Sequence, residues 1–119
     1  MFVILVNYVK PLAEIDANLE AHRLFLDEGY AAGYLLASGP RVPRTGGIIL
    51  AHASGVEELR YFLNKDPFIK ADVAQYEILE FTPVKSDPRL KDVLNKQLRI
   101  PPARRQPGGG SSSAVTAVQ

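Results

Sequence analysis

The residue of this sequence best suited to move a proton is a histidine with leucine neighbours. His22 stands at steps of three and four from Leu12, Ile15, Leu19 and Leu26. That spacing puts it on one helical stripe and turns it toward whatever the apolar side chains cover. An imidazole titrates near neutrality, which suits a general base. It equally suits a core histidine hydrogen-bonded to backbone, and residue type alone leaves both readings open. Asp66 is the acid of interest. An aspartate before proline, as in Asp66-Pro67-Phe68, is an ordinary turn former. It carries chemistry only if the fold brings it to His22, where it would hold one tautomer and stabilise the charged ring. Arg41 and Arg44 flank Val42-Pro43 and could clamp a carboxylate, although solvated loop charge is the commoner use of arginine. Ser38, just ahead of Gly39-Pro40, could donate a hydrogen bond to a ligand. His52, among apolar neighbours, reads as structural.

Other chemistries lack their residues. The 119-residue chain has no cysteine, which removes disulfides, thiolate nucleophiles and cysteine-ligated metals, and fits a reducing, cytoplasmic setting. Two histidines without metal-ligand spacing predict no metal site. No glycine motif is built to cradle a phosphate, Gly46-Gly47 reading as a hairpin feature, so no cofactor is expected. Residues 1–85 carry 8 basic and 11 acidic side chains. A fold with net negative charge offers no long-range attraction to nucleic acid or an anionic membrane. The apolar run Met1 to Val6 is too short for a membrane span or a signal sequence.

The elements that must position His22 and Asp66 follow from periodicity. Phe2 to Val9 is apolar on both alternating sets, so it predicts a strand buried on both faces. Pro11 opens a helix that Gly29 is placed to end. Tyr34 to Ser38 is a second strand, residues 39–46 a loop, and Gly47 to Ala53 a third strand. Ser54-Gly55-Val56-Glu57 has the form of a capping box. The helix after it buries Val56, Leu59, Phe62 and Leu63 and stops near Asp66-Pro67. A last strand runs from about Val73 to Pro83, where a change of apolar phase predicts a bulge or burial on both faces.

This order, β-α-β-β-α-β, is the ferredoxin-like α+β unit with a four-stranded antiparallel sheet. Two helices cover one face of such a sheet. The other face, apolar on the first strand, then calls for a second copy, giving a homodimer or a higher oligomer. The domain occupies residues 1–85. Leu90, Val93, Leu94 and Leu98 predict a short amphipathic helix over 86–100, and the Pro/Gly/Ser-rich residues 101–119 read as disordered.

Taken in order, Ala21-His22-Arg23-Leu24, Ala37-Ser38-Gly39-Pro40, Pro43-Arg44-Thr45-Gly46-Gly47-Ile48, and Asp66-Pro67-Phe68 with Tyr76-Glu77 resemble the YCII-related family of the dimeric α+β barrel superfamily, over about residues 1–84. The resemblance implies a homodimer whose pocket pairs a histidine with an aspartate, here His22 and Asp66, with Ser38 and the nearby loop lining it. Relatives in the superfamily isomerise lactones, oxidise aromatics without cofactors, or eliminate halide from chlorinated hydroxyquinols.

The function expected is that of a small cofactor-free enzyme of lyase or isomerase type, acting on a small cyclic or aromatic acidic compound. His22 would remove the proton, Asp66 would orient it, and Arg41 or Arg44 would hold the anion. The alternative is a non-catalytic ligand-binding or accessory homodimer, which gains if His22 and Asp66 lie too far apart to interact. An RNA-binding sheet fits poorly, because the third strand lacks exposed aromatics.

Overall fold

The structure is a computed structural model that describes residues 1–94. Its elements run β1 (Phe2–Tyr8), α1 (Leu12–Ala17), α2 (Leu19–Ala31), β2 (Leu35–Pro40), β3 (Gly46–Ala51), α3 (Val56–Leu63), α4 (Pro67–Lys70) and β4 (Ala74–Glu80). The strands form one sheet in the order β2-β3-β1-β4, with every pairing antiparallel. This is the α+β, ferredoxin-like arrangement expected from the order of elements.

Strand alternation divides the sheet into two faces. Phe2, Ile4 and Val6 of β1 point at the helices and are buried with Leu35, Ile49 and Ala51. The helices supply Ile15, Phe25, Leu59, Phe62 and Leu63 to the same core. Phe25 stacks on Phe62 with ring centroids 4.5 Å apart. On the opposite face, Val3 pairs across to Leu50 and Leu79, and Leu5 to Ile48. These side chains lie outside the buried core, and Ile48 and Leu79 are exposed.

Local details depart from the sequence expectation for identifiable reasons. The first helix is interrupted at Asn18, whose side-chain amide donates to the Glu14 carbonyl at 3.0 Å. An asparagine that bonds to nearby backbone competes with continued helix. The break leaves Leu12 exposed and turns Phe25, absent from the predicted stripe, into the core. Gly29 does not end α2. It packs inside the fold, where a Cβ would sit 2.6 Å from Phe62 Cζ and 2.8 Å from Leu35 Cδ1. Gly33, at φ 87°, takes the left-handed turn beyond the helix that favours glycine. At α3 the cap is Gly55, without a side-chain cap bond. Glu58, not Glu57, reaches back to accept from the Ser54 amide at 2.9 Å and the Ser54 hydroxyl at 2.6 Å.

The bulge expected in the last strand lies elsewhere. The β1–β4 register is unbroken from Phe2–Glu80 to Tyr8–Ala74, and Leu79 faces the open side. The irregularity is in β2, between Leu35 and Ala37. Of the segment predicted as a helix over 86–100, Pro88–Leu90 form a 3-10 turn and residues 91–94 are helical. The rest of it, and the 101–119 tail, lie outside the described residues. No described helix is long and apolar enough to cross a membrane.

Candidate active site

Asp66 has extended backbone and caps α4, its Oδ1 accepting from the Phe68 amide at 2.9 Å. Proline at the first helical position costs no hydrogen bond there, so the Asp-Pro turn forms locally. What the turn does not dictate is its neighbour. α4 packs on α2, which brings His22 Nδ1 to 2.9 Å from Oδ1 and 3.0 Å from Oδ2 of Asp66. The carboxylate side chain is fully buried and the imidazole is 11% exposed. The Tyr76 hydroxyl, arriving from β4, donates to Oδ2. Burial first, and then the charge of Asp66 and the hydrogen bond to it, hold that phenol far above its usual titration range. Tyr76 therefore stays a donor.

The donor and acceptor roles follow from this arrangement. An isolated buried carboxylate is strongly disfavoured, but donors to both oxygens offset the loss of water. With the Phe68 amide and Tyr76 hydroxyl both donating, Asp66 is an acceptor, so the proton between it and His22 sits on Nδ1. Neutral His22 then keeps its lone pair on Nε2. The ring is held flat against Phe68, centroids 3.9 Å apart and planes 3° apart. Asp66 fixes one nitrogen and Phe68 fixes the plane.

His22 lines a cavity of about 480 Å³ between α1, α2 and the β2–β3 half of the sheet, and with Nδ1 held by Asp66, Nε2 is the nitrogen left to meet a ligand there. Its walls are largely apolar, with Val6, Leu19, Leu26, Ile49 and Phe68 contributing. Ser38 reaches it through the β2 bulge. Without the extra residue, the pleat would put Ala37 on the helix side. With it, Ser38 pairs with core-facing Ile49 and lines the cavity, its Oγ 2.8 Å from the Tyr30 hydroxyl. Arg44 also lines the cavity, but it is occupied: it donates to Asp16 at 2.5 Å, with Tyr8 as a second partner. Arg41 is not brought there. Its guanidinium donates to Asn7 at 2.6 Å, and Asn7 alternates with Val6 toward the other face. Loop arginines three residues apart have no period that would send them to one side.

Sequence reasoning passed over Tyr76, Tyr30, Asp16 and Arg23. Arg23 was within reach of it: Leu19 and Leu26 lie four residues before and three after, so the three share a helical face, and all three line the cavity. Tyr76 shares the helix-facing side of β4 with buried Ala74, but nothing in the sequence aims its hydroxyl at Asp66. His52 lies off this site. Burial, helped by the nearby Met1 ammonium, pushes its pKa down to about 4. Among the described residues no three His, Cys, Asp or Glu side chains converge as metal ligands do.

A family model for the YCII-related domain matches residues 1–82. Among solved structures the chain is similar to the 5-chloro-2-hydroxyhydroquinone dehydrochlorinase of Burkholderia phenoliruptrix AC1100, in complex with 2,5-dihydroxybenzoquinone. The TM-score is 0.56 at 22% identity, over 69% of this chain and 94% of that one. No curated protein matches the sequence.

Proposed function

This chain belongs to the YCII-related family, and from that premise we propose that it is a lyase or isomerase that removes a proton from a small cyclic or aromatic acidic compound. The observation that carries this reading is the buried carboxylate holding His22 Nδ1 at 2.9 Å on a ring that also lines the cavity. Nε2 takes a proton from a C–H or O–H of the bound substrate. The electron pair stays on the substrate as an enolate or phenolate, and the imidazolium is stabilised by Asp66. The anion then recovers the proton from the imidazolium at another atom, or expels a leaving group with its electron pair while the imidazolium releases its proton to solvent, and in either case His22 returns to its neutral form. Ser38 offers a hydroxyl to a substrate oxygen. A non-catalytic binding module has no need of a base oriented in this way. The dehydrochlorination named for the structural neighbour is one reaction of this type, and a cavity of about 480 Å³ has room for a single-ring compound such as the quinone bound there.

The test is turnover on chlorinated hydroxyquinols and small lactones, followed by absorbance and chloride release. A positioned general base contributes about 10²–10⁴-fold, so His22→Asn should lower turnover by at least that factor while the chain stays folded. An active protein whose rate survives His22→Asn would refute the proposal.

A further inference from the structure

Resting on the proton-removal reading above, we propose that Arg23 anchors the substrate's acid group, and that the cavity therefore takes a planar ring-borne anion, a carboxylate or an ionised enol. Three arginines stand near enough to be considered, and their partners separate them. Arg41 is tied to Asn7 and does not line the cavity. Arg44 lines it but already holds Asp16 at 2.5 Å, so an arriving anion must compete with a carboxylate that the protein supplies. Arg23 lines it and, among the described residues, has no carboxylate within ion-pair distance. Its flanking stripe residues Leu19 and Leu26 are cavity walls, and Arg23 itself is exposed, so an arriving anion reaches it directly and meets it in a charge-assisted bond. A guanidinium presents two parallel N–H groups, which match a carboxylate edge or the adjacent oxygens of a hydroxyquinone.

The position of Arg23 also separates the anchor from the base. His22 and Arg23 are consecutive on α2, so their side chains leave the helix about 100° apart. A ring whose acid group is seated on Arg23 meets His22 with another part of the molecule, so the proton taken is not the anchored group's own.

The experiment measures binding and needs no turnover. Benzoate and 2,5-dihydroxybenzoquinone serve as anionic probes and benzamide as a neutral counterpart of benzoate, with Kd read by titration calorimetry on the full chain. The wild type should prefer benzoate to benzamide. Arg23→Gln should weaken both anions about ten- to hundredfold, the range for a lost hydrogen bond to a charged group, and leave benzamide unchanged. Arg23→Lys should recover only part of the loss, and Arg44→Gln should cost less than Arg23→Gln. His22→Asn should still bind the anions, so failure of the base and failure of the anchor are read separately. Equal binding of benzoate and benzamide by the wild type would overturn the anchor. So would an Arg23→Gln protein that keeps the anion preference, or a larger loss in Arg44→Gln than in Arg23→Gln.

Discussion

Asp66 is the residue on which most of the site's interactions converge: it caps α4, holds His22 and accepts from Tyr76. Replacing it with asparagine puts an N–H group in place of one oxygen, at which two donors already point. Asp66→Asn should therefore destabilise the chain as well as slow it, with turnover falling up to about 10⁴-fold as the wrong tautomer is populated. The ring ¹⁵N shifts of His22 in wild type and variant report the tautomer directly, and identical spectra would dissolve the pair. Tyr76→Phe removes a single donor from a buried anion, a loss of about 1–3 kcal/mol to be read from urea unfolding. His52 behaves differently. Folded, it stays neutral down to about pH 4, whereas the unfolded chain takes up its proton near the ordinary value of 6.5. Below 6.5 the unfolded state binds more protons, so stability is lost as pH falls from 6.5 toward 4, and little more is lost below. His52→Gln should lose less stability than wild type between pH 7 and pH 5, and equal losses would show that burial does not hold His52 neutral.

At the scale of elements, two irregularities place the site. The Asn18 break frees α2 from the direction of α1, so His22 and Phe25 both turn inward. The β2 bulge turns Ser38 inward. Gly29 lets α2 approach α3 and β2 closely, its missing Cβ leaving room for Phe62 and Leu35. Gly29→Ala would gain about 1 kcal/mol of helix propensity but overpack a dense contact at about 1–3 kcal/mol. We expect a net loss on the order of 1 kcal/mol in urea unfolding, and a stabilised variant would show that the neighbours yield freely. The four strands and the two main helical stretches were legible in the sequence, because period-two and period-3.6 patterns are local, whereas the short α4 was not. The break and the bulge were not, since each depends on one side chain or one register choice settled by packing.

For the whole molecule, the open sheet face is the surface from which we expect assembly. Val3, Leu5, Ile48, Leu50 and Leu79 share it, and a second copy placed face to face would remove them from water. Light scattering at micromolar concentration should report about twice the chain mass. The two faces of β1 also separate association from folding. Leu5→Glu should yield a folded monomer, since its side chain leaves the open face. Ile4→Glu should prevent folding, because a charge in the helix-side core costs several kcal/mol, comparable with the stability of a small domain. A monomeric wild type, or a dimeric Leu5→Glu, would count against face-to-face pairing.

The sequence by itself determined the α+β order, the apolar character of both faces of β1, and a histidine on the inward stripe of a helix. These are read from spacing within a dozen residues. It also marked Asp66 as a turn former before proline. Only the tertiary structure put that turn 2.9 Å from His22, 44 residues earlier in the chain. It alone added Tyr76 to the pair, spent Arg44 on Asp16, sent Arg41 to Asn7, and left Arg23 facing the cavity. A loop has no period, and a side chain's partner depends on which elements pack together. For that reason the base was visible in the sequence, and the residues that surround it were not.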